Sequence, residues 1–312
     1  MRKKIAGDIT SIVIYGAGDL GSGVALACAL KALPVSLVSK DPAKLSSSRE
    51  WMSKFFDKGV EKGRFKRSEV FHIIGRICFA VGNEQLKRAG LVVECVEGDI
   101  EKRKHAVREI ATNVPDDCIL IAAAGEDPTR QLGEIFGVPD SFVFAKFFQP
   151  VPVNGLAEVA YTPETSKSTL ESVMDFCMRI GKTPVLCKDK PGFVLERLKM
   201  PLILKAMKLC EEGNAPEDID SSVELGLGHR RGPLKEADAT GLDKVLELAD
   251  RLFEHYEDAA YEPPRILRRF VEEGRLGEKT GRGFYRYLKR CSKKNTNSNI
   301  WRRENGKATG FR

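Results

Sequence analysis

The chain has 312 residues, 42% hydrophobic and 30% charged, with 51 Lys and Arg against 44 Asp and Glu. It is long enough for two ordinary domains with a substantial core, and needs no disulfide or metal staple. The formal charge of +7 sits in the segment 289–312, where Lys289, Arg290, Lys293, Lys294, Arg302, Arg303, Lys307 and Arg312 face Glu304 alone, and the remaining 43 cations and 43 anions cancel. A basic globular surface tracking the phosphates of a nucleic acid is thereby excluded as the main function.

Other classes drop out quickly. No long apolar stretch follows MRKKIAGDIT, so a secretory signal is not expected, and the apolar run Ile119–Ala124 is too short to span a bilayer. Cys28, Cys78, Cys95, Cys118, Cys177, Cys187, Cys210 and Cys291 form no C-x-x-C pair. They read as small buried hydrophobes of a reducing cytoplasm. His72, His105, His229 and His255 are scattered, and no metal site is expected.

In chain order, the first half alternates apolar runs with helical stretches. Ser11–Tyr15 is a β-prone run ending at Gly16, Asp19–Lys31 is an Ala- and Leu-rich helix, Val35–Val38 is a second strand, and Leu45–Lys62 is a charged helix. Ile77–Val81, Leu91–Val96, Cys118–Ala123 and Phe142–Phe148 read as further buried strands, with helices such as Asp99–Ala111 between them. Strand–helix repetition with near-continuously apolar strands predicts an α/β domain, a doubly wound, mostly parallel sheet of Rossmann type. The strand-like runs stop near KDKPG, whose turn chemistry marks a boundary. Phe193–Cys210 is too apolar for a surface helix and is expected to be central and buried, kinked at Pro201. Pro216–Leu225, Leu242–His255 and Pro264–Glu273 continue an all-helical part. The expected organisation is therefore 1–189 α/β, 190–288 helical, and 289–312 a polar, basic, disordered tail.

The first strand–helix junction carries Gly16, Ala17, Gly18, Asp19, Leu20 and Gly21. This G-x-G-x-x-G pattern at that place points to dinucleotide binding. The first glycine makes the tight turn, the second admits the pyrophosphate, the third lets helix and strand approach, and the helix N-terminus favours the phosphates. An acidic residue at the end of the second strand would bond the ribose 2′-hydroxyl of NAD. Ser39 and Lys40 stand there instead, a pair suited to the 2′-phosphate of NADP. Lys40 as a solvated loop charge fits as well, so NAD or NADP remains open. Asp41 lies nearby, a turn late.

Several segments together resemble the 3-hydroxyacyl-CoA dehydrogenase family, including its short-chain 3-hydroxybutyryl-CoA members. GAGDLGSGVALA, VSKDPAKL, LVVECVEGDIEKRK, FFQPVPVNGLAEV, GKTPVLCKDKPGFVLERL, EDIDSSVELGLGHRRGPLKEADATGLDKV and LGEKTGRGFYRY follow the family's motifs in unbroken order from about residue 10 to 287. The resemblance implies oxidation of a 3-hydroxyacyl thioester to the 3-ketoacyl thioester, with hydride passing to a nicotinamide. It also implies a homodimer built through the helical part and a dinucleotide-binding first domain. The likeness speaks more firmly for family than for activity, because a fold hosts many functions.

Carried over residue by residue, the family's machinery is only partly present. Its Glu is Glu158, but its His is Lys146, its F-F-N-P asparagine is Gln149, and the place of its Ser falls at Gly125. Its substrate-side Asn is Glu196, followed by a matching Arg197, and the acid after the fourth strand is Glu97 or has become Gly98. Lys146, Glu158 and Glu196 are expected to form one cluster, since a buried cation needs partners. Two readings follow. Lys146 replaces His as general acid/base, although neighbouring carboxylates favour its charged form. Or the site is a stable ion-pair cluster in a repurposed dinucleotide-binding protein. His229, Arg230 and Arg231 read as loop charges or as a clamp for a carboxylate or a CoA phosphate. In the 289–312 segment, Trp301 is the lone large aromatic among the central cations, too little for base stacking. The expected partner is a small acyl-CoA substrate, with neither membrane nor nucleic acid.

Overall fold

Alternation along β1 (Ile12–Tyr15) sets the architecture. Ile12 and Ile14 enter one core, Val13 and Tyr15 another, and all four are buried, as suits a central parallel strand covered on both faces. The computed structural model describes residues 9, 11–123, 125 and 130–287. Its single sheet adds β2 (Val35–Ser39), β3 (Ile77–Val81), β4 (Leu91–Glu94), β5 (Ile119–Ala122), β6 (Phe142–Phe147), β7 (Leu156–Tyr161) and β8 (Thr183–Lys188). The spatial order is 3-2-1-4-5-6-7-8, and every neighbouring pair is parallel except β6 with β7. In the same domain, α1 (Asp19–Leu30), α2 (Pro42–Glu61), α3 (Arg67–Ile74) and α6 (Lys167–Arg179) feed the Ile12/Ile14 core. The core on the other face takes α4 (Ile100–Asn113) and α5 (Arg130–Phe136). Reversal of strand order at β1 and β4 opens a crevice at their C-terminal ends, where such folds bind ligands.

Two strands go beyond the sequence expectation. β7 and β8 lack the long apolar runs of the central strands: β8 lies at the sheet edge with only Cys187 buried. β7 lies inside the sheet, and its short apolar run is broken by the buried Glu158; β8, at the edge, is covered too little to need a continuous apolar run.

The second core belongs to the helical part, formed by α7 (Leu195–Glu211), α8 (Pro216–Leu227), α9 (Pro233–Thr240), α10 (Leu242–Tyr256) and α11 (Arg265–Glu272). Two buried aspartates rivet it. Asp220 accepts the Leu234 and Lys235 amides at the start of α9 and the Tyr285 hydroxyl, while Asp238 accepts the Phe284 and Tyr285 amides and the Tyr287 hydroxyl. α7 corrects the expectation of a wholly buried helix. Met200, Ile203, Leu204 and Met207 are buried, but Leu198 is 70% exposed. Pro201 is accommodated within the one helix. Of the described cysteines, Cys78, which is exposed, and Cys210, which is half-buried, depart from the buried reading, and all seven are free thiols. No helix among the described residues is long and apolar enough to cross a membrane. The segment 289–312 lies outside the described residues.

Candidate active site

The crevice holds a cavity of about 650 Å³ lined by the glycine turn, the end of β2 and one face of α4. Gly16 has φ +116°, and a Cβ there would lie 2.6 Å from the Cys95 carbonyl. Gly21 is packed just as closely, against Gly16. Neither tolerates a side chain, so the turn packs directly on the end of β4 and α1 closes onto the turn. Gly18 caps α1 with no side chain on the first-turn amides, which leaves them for an anion. At present the Glu97 carboxylate lies against Gly18. The volume and the bare glycine backbone fit the adenosine and pyrophosphate half of a dinucleotide.

The α4 wall is Lys102, His105, Ala106 and Glu109, a stripe at helical spacing. At the end of β2, Ser39 is buried and its hydroxyl accepts the Asp41 amide. Asp41 in turn caps α2 by accepting the Ala43 amide. Lys40 makes a hydrogen-bonded ion pair with Glu109, whose other oxygen accepts the Tyr15 hydroxyl at 2.9 Å. Burial works against the Glu109 charge, but the Lys40 and Tyr15 bonds more than offset it and hold its carboxyl below the usual range.

The second cluster lies where β6 and β7 meet α7. Lys146 and Glu158 are register partners across the antiparallel ladder. The Lys146 ammonium lies 3.5 Å from Glu196, near the rings of Phe148 and Phe193 at 5.6 and 5.8 Å. Phe193 takes a left-handed φ of +49°, rare for a bulky residue, and so brings its ring to this junction. Glu158 is 1% exposed. One of its oxygens accepts the Val194 and Leu195 amides at 3.2 and 2.7 Å, capping α7, and the other has no hydrogen-bond partner among the described residues. Burial pushes the Glu158 carboxyl up, and the Leu195 amide and Lys146 only partly offset that.

The expected three-residue cluster thus forms with a different division of labour. Glu196 holds Lys146, whereas Glu158 holds the start of α7 across the domain junction. Glu196 also binds Lys199 at 3.2 Å, Lys199 approaches Glu236 at 3.9 Å, and Arg231 approaches Glu236 at 3.7 Å. The sequence reading singled out Arg231 but missed Lys199 and Glu236. The i, i+3 spacing of Glu196 and Lys199 was the available signal. Arg197 is not brought into this cluster. Its guanidinium stacks 4.5 Å over Tyr256, and its stem packs by Gly192. At Gly125, φ is +90° and a Cβ would fall 2.4 Å from Arg103, which pairs with the fully buried Glu94 at 3.0 Å. A serine there would displace that pair. Another missed residue, Lys182, donates to the Val151 and Asn154 carbonyls and braces the turn after β6.

A doubly wound domain with a glycine turn at its crevice, joined to a helical domain that supplies a charged side chain to the β6–β7 pair, defines the dinucleotide-dependent two-domain dehydrogenases. The family model for the NAD-binding domain of 3-hydroxyacyl-CoA dehydrogenase matches residues 11–190, and that for its C-terminal domain matches residues 192–287. The chain belongs to the 3-hydroxyacyl-CoA dehydrogenase family. It is 33% identical over 282 residues to the 3-hydroxybutyryl-CoA dehydrogenase of Mycobacterium tuberculosis, covering 89% of this chain and 99% of that one. It is 31% identical over 288 residues to the human mitochondrial hydroxyacyl-coenzyme A dehydrogenase, covering 89% and 91%. The crystal structure of (S)-3-hydroxybutyryl-CoA dehydrogenase from Ralstonia eutropha superposes with a TM-score of 0.86 at 31% identity, covering 90% of this chain and all of that one.

Proposed function

We propose that this chain is an NAD(P)-dependent oxidoreductase interconverting 3-hydroxyacyl-CoA and 3-ketoacyl-CoA thioesters, with Lys146 as its acid/base group. The observation that carries the reading is the placement of Lys146 of β6 opposite Glu158 of β7, facing Glu196 of the helical domain. A bound nicotinamide would supply or accept the hydride. Gly16, Ala17, Gly18, Asp19, Leu20 and Gly21 would hold the dinucleotide, with Ser39, Lys40 and Glu97 lining its cavity. Lys146, kept beside a carboxylate, donates a proton to the oxygen of the 3-keto group as the carbinol forms, and recovers it when the reaction runs backwards. Glu196 orients Lys146 and stands at the substrate side. Arg197 keeps the linker packed. The working unit is a homodimer in a reducing, cytoplasmic compartment.

The test is a turnover screen with acetoacetyl-CoA, 3-hydroxybutyryl-CoA and free hydroxy acids, using both cofactors. Dinucleotide-dependent reduction of acetoacetyl-CoA, falling at least about 100-fold in Lys146→Ala, is the expected result. Dinucleotide binding with no turnover of any of these would overturn it. That outcome would favour the second reading, a cofactor-binding protein that has lost or changed its reaction, for which the Lys146–Glu196–Lys199 ion-pair chain is the supporting observation.

A further inference from the structure

The end of β2 poses a chemical question: which group reads the adenosine ribose when Ser39 and Lys40 stand where an acid would be expected? Both are already engaged by the protein. Ser39 is turned into the start of α2, and Lys40 is tied to Glu109. We propose that Glu109, reaching in from α4, supplies the ribose-reading carboxylate and makes the cavity select NAD(H) over NADP(H), with Lys40 and Tyr15 as its anchors. The inference rests on the dinucleotide reading of the cavity given above.

The geometry argues for it in three steps. Glu109 lines the same cavity as Gly16 and Gly18, together with Ser39, Lys40 and Tyr15. Its side chain keeps 21% exposure. Each of its oxygens already accepts one strong bond, Oε1 from Lys40 and Oε2 from Tyr15, and each has a lone pair left for a ribose hydroxyl. Finally, Lys40 is neutralised by the pair. A 2′-phosphate would have to break it and come to rest beside the freed carboxylate, with Asp41, Glu97, Asp99 and Glu101 also on the cavity wall. Lys44, Lys102 and His105 lie there too, so the wall is mixed in charge, and Glu109 is the acid that the Lys40 ammonium touches. Removing it converts Lys40 from an anchor into a phosphate ligand.

The experiment is a fluorescence titration of NADH and NADPH against the wild-type protein, Glu109→Gln, and Glu109→Gln combined with Lys40→Ala. Gln is isosteric and can still accept the Tyr15 hydroxyl, so the fold is retained. The wild-type chain is expected to bind NADH at least tenfold more tightly than NADPH. Glu109→Gln should tighten NADPH about tenfold and weaken NADH at least threefold, and adding Lys40→Ala should abolish the NADPH gain. A wild-type protein that binds NADPH as tightly as NADH overturns the proposal, as does a Glu109→Gln preference within twofold of wild type. Those results leave the dinucleotide reading intact. Failure of both nucleotides to bind the wild-type chain overturns that reading and this proposal with it.

Discussion

Glu158 is in tension with itself: it is a buried acid with one oxygen engaged by two amides and the other without a hydrogen-bond partner among the described residues. Because burial raises its carboxyl above the unfolded value, the folded chain binds this proton more tightly than the unfolded one. Its contribution to stability is therefore greatest in acid and is lost as pH rises from the ordinary carboxylate range through the folded value. Glu158→Gln keeps an oxygen for the Val194 and Leu195 amides and removes the charge. We expect the variant to be more stable than wild type by about 1 kcal/mol at pH 8, with the difference vanishing near pH 4, while turnover falls. Thermal unfolding at the two pH values, beside an activity assay, checks both halves. Equal stability at pH 8 would mean that the orphaned oxygen costs nothing. Glu158 and Lys146 were legible in the sequence because motif positions fix them. The division of labour between Glu158 and Glu196 was not, since it depends on where α7 begins, and that is set by the left-handed turn at Phe193.

At the scale of elements, sequence pattern reached the strands whose burial is two-sided and the helices that carry apolar stripes. It missed β7, whose short buried run is broken by Glu158, β8, where burial is partial, and α9, whose Pro233 start is specified from a distance. Asp220 lies thirteen residues before α9 begins, yet it accepts the Leu234 and Lys235 amides in the first turn and the Tyr285 hydroxyl besides. No local capping residue exists there, because the preceding position is Gly232. Asp220→Ala removes three bonds to a fully buried carboxylate and leaves the α9 amides and the tyrosine hydroxyl to find new partners. The expected loss is about 3 kcal/mol, read as a shift in the denaturant midpoint with unchanged slope. Asp220→Asn, which retains an acceptor, should lose less. If the two variants lose the same, charge rather than acceptance is the basis of the rivet.

For the whole molecule, the domains meet through α7. Its first amides are held by Glu158 of the sheet, its Glu196 holds Lys146, and its opposite side leaves Leu198 70% exposed. The adjoining α8 exposes Leu225 at 87% and Leu227 at 65%. Large apolar side chains left open on neighbouring helices favour a covering partner, and a second copy of the chain meets the requirement with a self-complementary contact. Such a contact would press on the helix that positions the acid/base cluster, so assembly and catalysis should be coupled. Light scattering is expected to give twice the chain mass for the wild type. Leu225→Glu with Leu227→Glu should give the single-chain mass with helical content retained. Neither position lines the dinucleotide cavity, so NADH affinity should change less than threefold in the monomer, while turnover falls because α7 is no longer braced. A monomeric wild type would remove the coupling. A monomeric variant with full turnover would show instead that the Glu158 cap suffices to hold α7 in place.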